Sequence, residues 1–144
     1  MIPSAELRLE TMLRAMTETI IPALDPEDAL AREQAALLQG HIHALLQQQG
    51  REAEIDRREM QALNELGHLL LSIAEGGKQT GIASERLSKA LTGEDYSELS
   101  LSIEQLIAVG DASPGFRNAA WQPVLDHARD ATTRGQQWFK PMGF

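Results

Sequence analysis

The chain of 144 residues has no cysteine and few aromatic residues: two Trp, one Tyr and three Phe. Without cysteine it forms no disulfide bond and offers neither thiolate metal ligands nor a cysteine nucleophile. No apolar run reaches the roughly 20 residues that a membrane-spanning helix needs. The amino-terminal stretch MIPSAELRLE lacks the basic start and apolar run of a signal peptide. We therefore expect a cytoplasmic protein that does not cross a membrane.

Positive charge is also scarce, because 21 acidic residues stand against 13 basic ones and the net charge is −8. An acidic surface repels the phosphates of a nucleic acid. The sequence also has no stripe of basic and aromatic residues on which bases would stack. We therefore expect no nucleic-acid partner, and acidity in a chain of this type favours solubility.

The apolar residues are mainly Leu, Ala, Ile and Met, a mixture that favours helix over strand. In the predicted first helix Ser4 is the N-cap, and Pro22 ends or kinks the helix. Its apolar stripe has helical spacing and consists of Leu9, Leu13, Met16 and Ile20.

The segment LDPEDAL predicts a second helix, with Asp25 as N-cap and Pro26 at the first helical position. We predict that its buried stripe is formed by Leu30, Leu37, Leu38, Ile42, Leu45 and Leu46. Gly50 either ends this helix or interrupts a much longer one. We favour an end there, because two rods of similar length pack well in a bundle.

A third helix is predicted from the stripe of Leu63, Leu66 and Leu70, and Gly76-Gly77 ends it. Two shorter helices follow, ending near Gly93 and Gly110, and the last helix begins after Ser113. These elements predict an all-α protein, an up-down helical bundle of four main helices plus one or two short helices. We expect a single domain over residues 1–144 with an aromatic tail from about residue 136 to 144.

Four side chains are candidate metal ligands: His41, Glu65, His68 and His127. His41 and His43 cannot bind one ion together, since residues two apart on a helix point about 200° away from each other. We expect His41 at the border of the buried stripe and His43 on the solvent side. Glu65 and His68 share a helix face, as in the Glu-x-x-His element of di-iron bundles, but the sequence has no second copy of that element. We therefore expect no metal site.

Catalytic motifs are missing as well. No Gly-x-Ser-x-Gly nucleophile elbow occurs, and EGGKQTG lacks the spacing of a phosphate loop and is read as a flexible connector. We expect no catalytic residues and no cofactor. The alternative is a bundle that binds a small molecule or metal between its helices, with the four candidate ligands converging there.

Five of the aromatic residues lie after residue 115 and are predicted interface residues: Phe116, Trp121, Trp138, Phe139 and Phe144. The ending QQWFKPMGF carries large apolar groups where chain ends are normally polar. Two interpretations stay open: the tail folds back over its own bundle, or it packs on a second subunit or another protein.

The stretch from Leu7 to Leu46, with IIPALDPED as its specific part, resembles a group of small uncharacterised bacterial helical proteins. Their genes tend to lie beside phosphotransferase-like and acyl-CoA-handling enzymes. The resemblance brings no catalytic residues and implies an accessory protein that works with an enzyme partner. From the residues themselves we expect a non-catalytic helical protein that forms a homodimer and binds a partner protein.

Overall fold

The computed structural model describes residues 3–140, and over this range the chain is helical. The elements in chain order are α1 (Ala5–Ala15), a π-helical segment (Met16–Ile20), α2 (Ile21–Ala23), α3 (Ala29–Gln48), α4 (Glu52–Ile73), α5 (Lys78–Ala90), α6 (Tyr96–Ala108) and α7 (Pro114–Gln136). The predicted all-α class is confirmed for these residues. Within this range we find no helix whose length and hydropathy would suit a bilayer crossing.

The contacts divide the chain into two compact units. Unit 1 consists of Met1–Glu52 together with Thr133–Phe144, and unit 2 is Ala53–Thr132. Unit 1 thus contains α1 to α3 and the last turn of α7, while unit 2 contains α4, α5, α6 and most of α7. The single up-down bundle of four main helices stays a prediction, and we describe each unit by itself.

In unit 1, α1 begins as predicted, because the Ser4 hydroxyl accepts a hydrogen bond from the N–H of Leu7 at 3.2 Å. The helix widens into a π turn before Pro22, where the N–H of Ile21 reaches back to the carbonyl of Met16. Proline has no N–H for the helical carbonyl four residues earlier, so a local change of pattern is expected near it. Met16, the first residue of the π-helical segment, is buried.

The start of α3 differs from the prediction. Asp25 closes a turn by accepting a hydrogen bond from the N–H of Glu27 at 2.9 Å. The N-cap is Asp28, whose side chain accepts from the N–H of Ala31 at 2.9 Å. Both aspartates suit a cap, and the turn through Pro26 moves the helix start three residues along the chain.

The predicted buried stripe of α3 is wrong for most of its leucines. Leu30, Leu37, Leu38 and Leu45 are exposed. The buried residues of α3 are smaller and lie in two rows: Ala35 with Ile42, and Gly40 with Ala44. Ala35 and Ile42 pack in one cluster with Met16 and with Leu9 and Leu13 of α1, and the four leucines remain outside.

Gly50 separates α3 from α4. Its φ of 75° lies in the left-handed region, which glycine adopts at no steric cost. Gln49 has φ −55° and ψ 128°, and the N–H of Arg51 donates to the carbonyl of Gln48 at 2.9 Å, so residues 48–51 form a type II turn with glycine at its third position. The predicted break is confirmed.

Unit 2 has much the larger core of the two. Twelve buried residues form its cluster, and they include Leu63, Leu66 and Leu70 as predicted, together with Leu87, Leu99 and Leu106. Among residues 3–140, the cluster of unit 1 has three buried members, Met16, Ala35 and Ile42, with partly buried residues packed against them: Leu9, Leu13, Ile21, Leu24 and Leu46. Since apolar burial is the main stabilising contribution in folding, unit 2 is expected to hold more of the chain's stability.

Candidate functional site

The four candidate metal ligands do not form a cluster in the part of the chain that is described. Glu65 and His68 are both exposed on α4, and Glu65 accepts a hydrogen bond from Gln61 at 3.0 Å. His127 is half-buried on α7, and His41 belongs to unit 1. Among residues 3–140 no group of three or more His, Asp or Glu side chains is arranged to hold a metal ion.

The two histidines of α3 have exchanged their expected environments. His41 is exposed and not at the border of a buried stripe, whereas His43 is half-buried and not on the solvent side. The Nδ1 atom of His43 is buried and has no hydrogen-bond partner among the described residues. His41 shares the exposed side of α3 with the four exposed leucines, whereas His43 lies on the opposite half of the helix.

A network of hydrogen bonds lies in unit 2, where the Asp111 side chain caps the N-terminus of α5. Its carboxylate accepts hydrogen bonds from the N–H of Gln79 at 2.8 Å, from the N–H of Thr80 at 2.9 Å and from the Thr80 hydroxyl at 2.7 Å. The N-cap position of α5 is Gly77, which has no side chain with which to cap the helix. Asp111 therefore performs from a distant loop what an N-cap side chain normally does.

Backbone pairing fixes the same two loops to each other. The N–H of Gly77 donates to the carbonyl of Asp111 at 3.0 Å, and the N–H of Ser113 donates to the carbonyl of Glu75 at 2.8 Å. The stretch EGGKQTG, read from sequence as a flexible connector, is thus held by a ladder of hydrogen bonds. A Cβ on Gly77 would collide with the Asp111 carboxylate, so glycine is required there for steric reasons.

These hydrogen bonds also set the charge state of the loop. The Thr80 hydroxyl, followed by the backbone N–H groups of Gln79 and Thr80, lowers the pKa of Asp111 below its ordinary value of 3.8 and outweighs an opposing desolvation effect. The ionised form is also favoured by the positive end of the α5 dipole. All partners of this carboxylate are accounted for by the helix start, so we interpret Asp111 as a structural residue.

The aromatic residues of α7 have opposite environments. Phe116 is 2% exposed and lies in the core of unit 2. Trp121 is 66% exposed and lines a groove of about 300 Å³ together with Ile107, Phe116, Arg117, Asn118, Ala120 and Val124. Ile107 in the lining and Leu125, one turn beyond Trp121 on α7, are exposed as well, while Arg117 and Asn118 are the polar part of the lining.

The aromatic residues after α7 lie against α3 and the turn that follows it. The rings of Phe139 and His41 meet edge to face with centroids 5.2 Å apart. The guanidinium of Arg51 lies 5.1 Å from the centroid of the Trp138 ring, a cation–π contact. Trp138 and Phe139 are half-buried, so this part of the tail folds back within unit 1. Phe144 lies outside the described residues.

The exposed leucines of α3 were missed in the sequence as a candidate surface. They surround His41 on the open side of the helix, next to Phe139. Comparisons of this chain with protein-family models, with curated proteins and with solved structures found no match. The arguments below therefore rest on this chain's own geometry.

Proposed function

We propose that this chain is a non-catalytic protein that works by association, both with a second copy of itself and with a partner protein. The observation that supports this proposal is the 66% exposure of Trp121 in a groove that the exposed Ile107 also lines, with the exposed Leu125 one turn further along α7. Tryptophan is among the residues that most often dominate the binding energy of protein interfaces, and water-exposed apolar patches commonly mark interaction sites.

Unit 1 supports the same proposal independently. In the described part of unit 1 the buried cluster has three members, while many large apolar side chains are exposed: Leu7, Met12, Ile20, Leu30, Leu37, Leu38 and Leu45. Each such side chain gains up to about 1.5–3 kcal/mol when it is moved from water into a packed interface. A second molecule that covers some of these residues would add stability that unit 1 cannot supply from its own core.

Native mass spectrometry and sedimentation of the full untagged chain test the proposal, because they give the subunit number and any retained mass together. We expect a dimer whose population rises with concentration. A single chain at every concentration would contradict self-association. A retained metal ion or small molecule would favour the alternative, a bundle that binds such a ligand between its helices.

Fluorescence quenching by acrylamide then locates Trp121 relative to the interface. The chain has two tryptophans, so a Trp138→Phe variant leaves Trp121 as the only reporter. Quenching that weakens as the dimer forms would place the Trp121 groove in the contact between copies. Unchanged quenching would assign this groove to the partner protein.

A further inference from the structure

We propose that α3 forms an antiparallel helix pair with α3 of a second copy, through the leucines that its own chain leaves exposed. This inference rests on the proposed self-association and names the surface responsible. The surface, here called the α3 face, consists of Leu30, Gln34, Leu37, Leu38, His41 and Leu45. With about 100° between successive residues, these six side chains fall within an arc of roughly 100°.

The order of residues along the α3 face is self-complementary about one point. In a two-fold symmetric contact, if residue i of one copy meets residue j of the other, then j also meets i. A two-fold axis through the midpoint between Leu37 and Leu38 places each leucine of one copy against a leucine of the other. It also places Gln34 of each copy against His41 of the other. The resulting pairs between the copies are Leu30 with Leu45, Leu37 with Leu38, and Gln34 with His41.

The polar pair, Gln34 of one copy with His41 of the other, is chemically matched and lies one turn from the axis on either side. A glutamine amide both donates and accepts hydrogen bonds, so it can bond to an imidazole nitrogen in either tautomer. The Gln34 and His41 side chains then satisfy each other across the axis, and the symmetry repeats the contact. Phe139 already lies against His41 in the same chain, so its ring extends the apolar surface at this point.

The absence of charged residues from the α3 face also favours a second copy in this orientation. The charged residues of α3 are Arg32 and Glu33, and both lie outside the arc of the α3 face, so pairing brings no like charges together on the seam. This matters for a chain whose net charge is −8. An antiparallel pair also places the positive end of each helix dipole beside the negative end of the other.

Acidic and basic groups at the ends of the helix agree with that orientation. The chain that leads into α3 carries Asp25, Glu27 and Asp28, whereas Arg51 and Glu52, whose charges offset each other, follow its other end. The antiparallel arrangement keeps the three acidic residues of one copy away from those of the other. A parallel pair would instead bring the two acidic ends together, which is unfavourable.

The area involved predicts a dimer that dissociates on dilution. A helix of 20 residues is about 30 Å long, and two packed helices touch over a strip roughly 10 Å wide. The pair then buries on the order of 600 Å², whereas stable interfaces bury about 1,200–2,000 Å² in total. We therefore expect the dimer to form only at elevated concentration.

Replacing the two leucines of one predicted pair, Leu30 and Leu45, with residues of opposite charge tests the pairing on the full chain. Leu30→Lys and Leu45→Glu each place an unpaired charge against a leucine, and each should raise the dimer dissociation constant about tenfold or more. The double variant brings Lys and Glu together at both sites and should recover most of the affinity, and so should an equimolar mixture of the two single variants. In a parallel pair the double variant would set like charges against each other.

Sedimentation across a dilution series compares the unmodified chain with the two single variants, the double variant and the mixture. Circular dichroism checks that helicity is retained. Leu101→Lys is the matched control, since Leu101 in α6 is 54% exposed and Leu45 is 48% exposed. Leu101→Lys should dimerise like the unmodified chain.

If the unmodified chain dimerises and the single variants dimerise equally well, the α3 pairing is overturned while self-association stands. If the double variant and the mixture both stay monomeric, the antiparallel pairing is overturned. If the unmodified chain never dimerises, this pairing and the proposed self-association both fail.

Discussion

Asp111 and Thr80 lie 31 residues apart in the chain, yet the Asp111 carboxylate accepts hydrogen bonds from both the N–H and the hydroxyl of Thr80. The contact satisfies backbone donors that every helix start leaves without a partner inside the helix. Together with the backbone hydrogen bonds between Gly77 and Asp111 and between Ser113 and Glu75, it joins the loop before α5 to the loop after α6. Removal of this carboxylate is therefore expected to affect unit 2 as a whole.

Asp111→Asn should lower the thermal midpoint of unfolding at neutral pH. The substituted side chain keeps its size but loses its charge and one acceptor oxygen, so a hydrogen bond at the start of α5 is weakened or lost. Circular dichroism during heating measures the effect. Asp126→Asn is the matched control, because the partners of Asp126 are Gln122 and Arg129 on the same exposed helix, where such pairs contribute little.

The difference between the unmodified chain and Asp111→Asn should disappear in acid. The pKa of Asp111 is lowered from 3.8 in the folded chain, chiefly by the Thr80 hydroxyl. A depressed folded pKa adds stability above the unfolded pKa, and this stability is lost as the pH falls through the folded value. The gap in thermal midpoint should be constant above about pH 5 and shrink below about pH 4. A gap that widens in acid would contradict this assignment.

Alanine substitution at two neighbouring glycines should have opposite effects. At Gly77 the new Cβ would collide with the Asp111 carboxylate, so Gly77→Ala should destabilise the protein. At Gly81, within α5, the new Cβ has no other atom within 4 Å. Gly81→Ala should stabilise by about 0.5–1 kcal/mol, since alanine is the better helix former. Urea unfolding compares the two variants, and equal effects would argue against the close approach of the Asp111 loop.

Truncation after Gln137 should weaken self-association and leave most of the helicity intact. The variant removes Trp138 and Phe139, which contact Arg51 and His41, but α7 ends earlier, at Gln136. Loss of the Phe139 ring removes apolar surface beside the α3 face. Sedimentation reads the association and circular dichroism reads the helicity. An unchanged dimer population would show that the tail has no part in the contact.

Backbone amides in unit 1 should exchange with deuterium faster than those in unit 2. Local opening is easier where few apolar side chains are buried, and the buried clusters have three members in unit 1 and twelve in unit 2. Hydrogen exchange read by mass spectrometry compares α3 with α6 in one sample. Exchange in α3 should also slow as the concentration rises, if this helix pairs with a second copy. Equal protection in the two helices would contradict the expected difference.

Local signals in the sequence predicted the helices well where one residue decides the outcome. The Ser4 cap, the break at Gly50 and the start after Ser113 were all anticipated, and the Ser113 hydroxyl accepts from the N–H of Phe116 at 3.0 Å. The cap of α3 was misplaced because Asp25 and Asp28 have equal capping ability. Only the turn between them decides which one precedes the helix.

The surfaces could not be predicted from periodicity. More than one side of α3 carries apolar residues, with leucines on one and Ala35 and Ile42 on another, so the pattern alone does not tell which side α1 covers. The contact of Asp111 with Thr80 was also out of reach, since it requires two loops to meet through the tertiary fold. The tail interpretations were partly resolved, because Trp138 and Phe139 contact their own chain and Trp121 remains exposed.

The discontinuous composition of unit 1 has a consequence during synthesis. Its helices α1 to α3 are completed by residues from 133 onward, and all of unit 2 is made in between. At about 5–20 residues per second, the ribosome needs roughly 4–16 s to produce residues 53–132. During that time α3 is already synthesised but Phe139, which contacts His41, is not. The nascent α3 must then be kept from aggregating without this contact.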